Sequence, residues 1–125
     1  MKLLTHNFLS SRFLKGAAQG YPLKLVVNEK NVLPNEYNAD LVSALMGRID
    51  YEALLLAAEA SGEAGKLPKV LPDKSNWNDE FLEEVHRLLY CIDVIDGVLT
   101  CPDTGREFPI KDGIPNMLCS EEEAA

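Results

Sequence analysis

The stretch from Cys101 to Leu118, CPDTGREFPIKDGIPNML, holds two turn signals and an apolar ending, and its reading decides how the chain closes. It opens with the frame of a zinc knuckle: a cysteine, two spacers, a second ligand position and a glycine. The second ligand position holds Thr104, a weak neutral oxygen where zinc needs a thiolate or an imidazole. Without metal the frame is a β-hairpin. PDTG turns VLTC back onto REFPI, and Gly105 suits a turn position with φ > 0. KDG then reverses the chain into IPNML. Pro115 has no N–H to give to a ladder, so this last strand belongs at a sheet edge. An apolar edge is an aggregation hazard unless something covers it. Either a covering partner exists, or Met117 and Leu118 fold inward onto helices, and both readings stay open from these residues alone.

Upstream, Cys91 to Thr100 alternates and is broken by Gly97, which predicts strand, turn or bulge, strand. A helix starts near Asn76 or Asn78, with Phe81, Leu82, Val85, Leu88 and Leu89 as its buried stripe. LPKVLPD before it is an extended, proline-bounded connector, and SGEAGK ends the preceding helix. Asp50 caps that helix, whose apolar face is Tyr51, Leu54, Leu55 and Ala58. An earlier one begins at Asn38 or Asp40 and carries Leu41, Leu45, Met46 and Ile49 at helical spacing. PLKLVV, residues 22–27, predicts a strand starting at Pro22, with a break at Pro34 and Asn35. The expected fold class is α+β. Both chain ends, 1–35 and 91–125, form a small β lobe, and 36–90 is an inserted helical lobe.

A chain of 125 residues with 46% hydrophobic and 26% charged residues has the means to bury a core. Its net charge of −8, with Lys and Arg scattered, argues against direct nucleic-acid binding, which needs a basic face. Cys91, Cys101 and Cys119 are an odd count without paired spacing, so a reducing compartment is expected. His6 and Asn7 break the N-terminal apolar run before it resembles a signal peptide, and no stretch approaches the ~20 apolar residues of a membrane span. An intracellular soluble protein, with no membrane contact, is the expectation.

Catalytic chemistry finds little support. The two histidines, His6 and His86, are not coupled in sequence to a nucleophile and an orienting carboxylate. There is no glycine-rich nucleotide loop and no HExxH, and Glu121 to Glu123 predict a solvated tail. Zinc rescue at Cys101 by Cys91, Cys119 and a histidine would need ligands away from knuckle spacing. No metal, cofactor or catalytic residue is therefore expected.

MKLLTHNFL at the start, YPLKL soon after, the pair Asp50–Tyr51 opening a helix, and CPDTGREFPIKDGIPNML resemble the multifunctional methyltransferase activator subunit family of eukaryotes and archaea. The likeness runs the length of the chain with a variable middle. FPIKDGIPNML is its most specific part, since small bacterial proteins of the same superfamily end in a (Y/F)PI-x-x-GIP pattern. The resemblance implies a non-catalytic partner of S-adenosylmethionine-dependent methyltransferases, forming heterodimers in cytoplasm and nucleus. Their substrates are tRNA, ribosomal RNA and a glutamine of the translation termination factor. It implies a zinc-ribbon-like β lobe with an inserted helical lobe. Where members hold zinc, Ser11 and Gly16 take the first two ligand places here, Cys101 the third and Thr104 the fourth, so the metal does not carry over. Partners in the family add a sheet edge to this lobe. The residues implied at that contact are Phe8, Leu9, Ile114, Pro115, Asn116, Met117 and Leu118. Main-chain pairing tolerates varied partners, and methionine is adaptable filling for such a surface.

Two other classes compete. A self-contained zinc-ribbon-like RNA-binding module would need basic residues interleaved with aromatics, which the acidic composition lacks. A small enzyme with Cys101 as nucleophile has no base nearby in sequence.

Overall fold

Three asparagine and aspartate caps set the helical middle. In the structure, a computed structural model that describes residues 1–65 and 67–124, Asn38, Asp50 and Asn78 each accept a hydrogen bond from a backbone N–H three residues on. The distances are 3.0 Å to Leu41, 3.0 Å to Ala53 and 2.9 Å to Phe81. Each cap stabilises its helix by about 1 kcal/mol. They open α2 (Ala39–Leu45), α3 (Tyr51–Ala60) and α4 (Asp79–His86), and α4 continues into one π-helical turn, Arg87–Cys91. A single 3-10 turn, Lys74–Asn76, lies in the connector before α4.

The chain ends supply α1 (Leu3–Phe8) and the strands β1 (Lys24–Val32), β2 (Ile92–Thr100), β3 (Glu107–Lys111) and β4 (Ile114–Pro115). These strands form one antiparallel sheet in the order β1-β2-β3-β4, so β1 and β4 are its two edges. The fold is α+β. One apolar cluster joins sheet and helices: Ile92, Val94, Leu99, Phe108 and Ile110 meet Leu3, Val42, Leu54, Val85, Leu88 and Leu89, all fully buried.

Several expectations need correction. α1 was not foreseen, because six residues are too few to display a helical period; Leu3, His6 and Asn7 form its buried face. β1 starts at Lys24, two residues after Pro22, and extends through the polar NEKNV segment. That half of β1 hides in the sequence because it is largely exposed on both faces. In the stripe expected around α2 only Leu41 fails, at 43% exposure, with Val42 fully buried in its stead; Met46 is buried and Leu45 and Ile49 pack on the core. β2 is one uninterrupted strand. Gly97 lies against β1 because a Cβ there would come within 2.2 Å of the Val26 carbonyl oxygen. The irregularity falls beside it: Asn28 of β1 and then Ile95 of β2 go unpaired, and the two register shifts cancel. The expected strand IPNML is shorter than read, with only Ile114 and Pro115 in the sheet. Glu121 and Glu122 are exposed, but Glu123 is no free tail residue. Its carboxylate meets Arg106 Nε at 2.5 Å, and its carbonyl accepts from the Lys15 N–H at 2.8 Å.

Candidate partner-binding edge

The β3–β4 turn is built from two residues with positive φ, Asp112 at 52° and Gly113 at 78°. That is the backbone twist a two-residue hairpin requires, and aspartate–glycine is the pair that adopts it most readily. The turn sets Ile114 opposite Lys111 and Pro115 opposite Ile110. Asn116 N–H then donates to the Pro109 carbonyl at 2.9 Å, which carries the chain one residue further along β3. Beyond β4 the sheet ends. Pro115 takes the edge position its missing N–H predicts.

The side chains of this edge are mostly in solvent. Ile114 is 69% exposed and Leu118 is 79% exposed. Pro115 is half-buried, Asn116 is exposed, and Met117 is half-buried against the central apolar cluster. The two readings of IPNML therefore divide by residue: Met117 turns toward the core, while Ile114 and Leu118 face outward. An exposed apolar strip on an unpaired strand is a surface that other strands pair with. Phe8 is also exposed, at 56%, but it lies at the far end of α1 from Met1. There it borders Tyr21, Arg48 and Asp50. Leu9 is half-buried and closes α1. The chain thus brings residues 114–118 together as one strip and places Phe8 in a separate neighbourhood. Asn7 fixes that neighbourhood, donating to the Asp50 carbonyl at 2.8 Å and accepting from the Asp50 N–H at 2.9 Å.

The knuckle lies at the other end of β3. Cys101 N–H donates to the Arg106 carbonyl at 2.8 Å and Gly105 N–H to the Cys101 carbonyl at 3.0 Å, with Gly105 at φ 79°. Ser11, Gly16 and Thr104 converge on it. Burial pushes the Cys101 thiol up, but hydrogen bonds from the Ser11 and Thr104 hydroxyls and from the Thr104 and Asp103 backbone outweigh it. The balance lies below the ordinary thiol value. A Cβ on Gly16 would stand 3.6 Å from Thr104 Cγ2. The Asp103 carboxylate accepts from the Gln19 and Gly20 amides at 3.1 and 2.8 Å, tying the two chain ends together. One thiol, two hydroxyls and a glycine do not fit zinc, which takes four thiolate or imidazole ligands in a structural site. Among the described residues no group of three or more His, Cys, Asp or Glu forms a metal-binding cluster.

His6 Nε2 donates to the Leu23 carbonyl at 2.8 Å, and burial lowers its pKa, keeping the ring neutral. His86 lies between the Tyr37 and Tyr90 rings, at 5.6 and 5.1 Å between centroids. The hydrogen-bond partners of Cys101 include no base. No helix among the described residues is long and apolar enough to cross a membrane. Sequence reasoning missed one set of groups at the edge: the Met1 nitrogen, which donates to Asp93 Oδ1 and to the Gly113 carbonyl. A backbone amine has no letter of its own in a sequence.

These features define a small α+β chain whose sheet ends in an exposed apolar edge. Residues 2–113 match the Trm112p-like protein family, and the chain belongs to it. It is 50% identical over 119 residues to the multifunctional methyltransferase subunit TRM112-like protein of Caenorhabditis elegans, covering 94% of this chain and 95% of the relative. The Mus musculus protein of the same name is 40% identical, with 98% of each chain covered. Homolog A of the TRM112 subunit from Arabidopsis thaliana is 38% identical, covering 98% of this chain and 99% of the relative. The fold is also similar to a chain of the E. cuniculi Mtq2–Trm112 complex, responsible for methylation of the eRF1 translation termination factor. The TM-score is 0.60 at 20% identity, over 94% of this chain and 95% of that one.

Proposed function

We propose that this chain is a non-catalytic subunit that binds, stabilises and activates S-adenosylmethionine-dependent methyltransferases as heterodimers. The enzymes it serves act on tRNA, ribosomal RNA and the translation termination factor, in cytoplasm and nucleus. The observation that carries the reading is the strip Ile114–Leu118: a short edge strand and its extension, with two large apolar side chains in water. Relatives that span nearly the same length bear the name of methyltransferase subunits. A partner strand laid along β4 would gain main-chain hydrogen bonds indifferent to its sequence, while Ile114 and Leu118 fill its pockets and Met117 supports the strip from the core side. The β lobe of both chain ends is zinc-ribbon-like in outline, with the hydroxyls of Ser11 and Thr104 beside Cys101 where zinc ligands would stand. The methyl donor and the reacting groups belong to the partner, and the net charge of −8 disfavours direct contact with RNA.

The test is affinity capture of the C-terminally tagged chain, followed by mass spectrometry and calorimetric titration with S-adenosylmethionine. Methyltransferases should co-purify in equimolar amount. The complex should bind the cofactor while the isolated chain gives no heat of binding. Micromolar cofactor binding by the chain alone, or capture of RNA without any methyltransferase, would refute the proposal.

A further inference from the structure

β4 ends at Pro115, yet Leu118 stands beyond it with its side chain 79% exposed. A side chain in water supplies no packing to fix its backbone, so hydrogen bonds must hold the chain there. Leu118 N–H donates to Asn116 Oδ1 at 3.2 Å, and the Leu118 carbonyl accepts from Arg106 Nη2 at 3.4 Å. Arg106 stands at the entry to β3, its guanidinium carbon 4.8 Å from the centroid of the buried Phe108 ring. Its Nη1 donates to the Glu107 carbonyl, and its Nε meets the Glu123 carboxylate at 2.5 Å. Glu123 is anchored in turn. Its Oε1 accepts from the Ser120 N–H at 3.1 Å, while Ser120 Oγ accepts from the Glu123 N–H at 3.3 Å, a reciprocal capping box around one turn of chain. The Glu123 carbonyl accepts from the Lys15 N–H at 2.8 Å, and Ala124 bridges to Leu14. Residues 120–124 thus fold back onto the loop beside the knuckle, and Arg106 ties that fold-back to the end of the strip.

We propose that Arg106 and Glu123 are positioning residues for the partner-binding edge: by holding residues 120–124 folded back, they fix Leu118 at the end of the strip in the free chain. This rests on the reading of β4 as the contact. Past Pro115 the strip keeps one main-chain bond to β3, from Asn116 N–H to the Pro109 carbonyl, which is little to order it by itself. Docking a disordered segment costs the entropy of ordering it, and a strip ordered beforehand escapes that cost. The guanidinium suits the task because its planar fork reaches one carboxylate and two carbonyls together. Removing the Glu123 carboxylate takes away both the cation's partner and half of the capping box.

The experiment compares the unaltered full chain with Glu123→Ala, Leu118→Ala and the two changes combined. Hydrogen exchange is followed along the free chain, and affinity is measured with the methyltransferase that co-purifies with the unaltered form. Glu123→Ala should speed exchange at residues 116–120 by about 5-fold, leave α3 and β2 protected as before, and weaken the complex by a similar factor. In the Leu118→Ala background the same change should cost little further affinity, because the side chain it positions is gone. Unchanged exchange at 116–120 overturns the proposal, as does faster exchange there with undiminished affinity. Additive losses in the double variant overturn it too, since Glu123 would then act on the partner independently of Leu118. So does a loss of protection spread evenly over sheet and helices, which would mark a merely structural role. Arg106→Gln should repeat the local pattern, and if it fails to fold through its lost packing on Phe108, Glu123→Ala decides by the same criteria. If even the unaltered form captures no methyltransferase, the proposed function falls, and the exchange pattern of the free chain still decides whether Arg106 and Glu123 hold the strip.

Discussion

Gly97 and Cys101 are four residues apart on the same run of chain, and both are explained by what stands next to them. At Gly97 the neighbour is the β1 backbone. A methyl group there would meet the Val26 carbonyl oxygen at 2.2 Å and the Val26 carbonyl carbon at 3.3 Å, and neither atom can move without opening the pairing of β1 with β2. Gly97→Ala should therefore destabilise the chain by on the order of 3 kcal/mol, through overpacking against main chain that has no alternative rotamer. Thermal unfolding by circular dichroism measures this, and a melting temperature equal to that of the unaltered chain would contradict the close approach. At Cys101 the neighbours are hydroxyls. Ser11 and Thr104 lie beside the sulfur, which is part of the buried interior under the hairpin turn.

The elements are tied across the core by an ion network that no helical or strand pattern displays. Lys30 of β1 reaches Glu63 at 2.7 Å and also donates to the Ser61 carbonyl at the end of α3. Arg87, in the turn after α4, meets Glu63 at 2.9 Å and Glu84 at 2.6 Å. The hydrogen bond from Lys30, helped by the one from Arg87 and opposed by burial, holds the Glu63 carboxyl below the ordinary carboxylate range. The folded chain then binds a proton at Glu63 less readily than the unfolded chain does. Its contribution is fully present above the unfolded value near pH 4 and is lost as acid is added below that. Solvent reaches both partners, so the contribution is about 1 kcal/mol. Glu63→Gln should lower the melting temperature at pH 7, and the gap to the unaltered chain should close as the pH falls toward 3. A gap that stays constant with pH would show that the charge on Glu63 contributes nothing. What was legible in the sequence at this scale is local: Asn38, Asp50 and Asn78 announce their helices because a cap acts within three residues. Gly105 and the Asp112–Gly113 pair announce the hairpin turns for the same reason. α1, the full length of β1 and the Glu63 network were hidden, since each depends on partners 24 to 76 residues away.

At the scale of the whole molecule the sheet has two open edges, and only the site reading separates them. β1 offers Val26 and Val32, with Leu33 just beyond it, at 46%, 52% and 50% exposure, while β4 and its extension offer Ile114 and Leu118 at 69% and 79%. The sequence pointed to the second edge because Pro115 marks it, and it passed over the first because β1 runs on through polar residues. Exposure makes the two edges testable without unfolding the chain. A charge at a position already in water changes stability by roughly 0.5 kcal/mol or less, so Leu118→Asp, Ile114→Asp and Val32→Asp should all fold and melt close to the unaltered chain. Met117→Asp is different, since Met117 packs on the core and an unpaired charge there should lower the melting temperature of the free chain. Against a co-purifying methyltransferase, Leu118→Asp should cost about 3 kcal/mol, a weakening of roughly 100-fold, because docking would bury the carboxylate without a partner. Val32→Asp should leave the affinity unchanged. If Val32→Asp breaks the complex and Leu118→Asp spares it, the partner adds its strand to β1, and β4 needs another explanation for its bare apolar side chains.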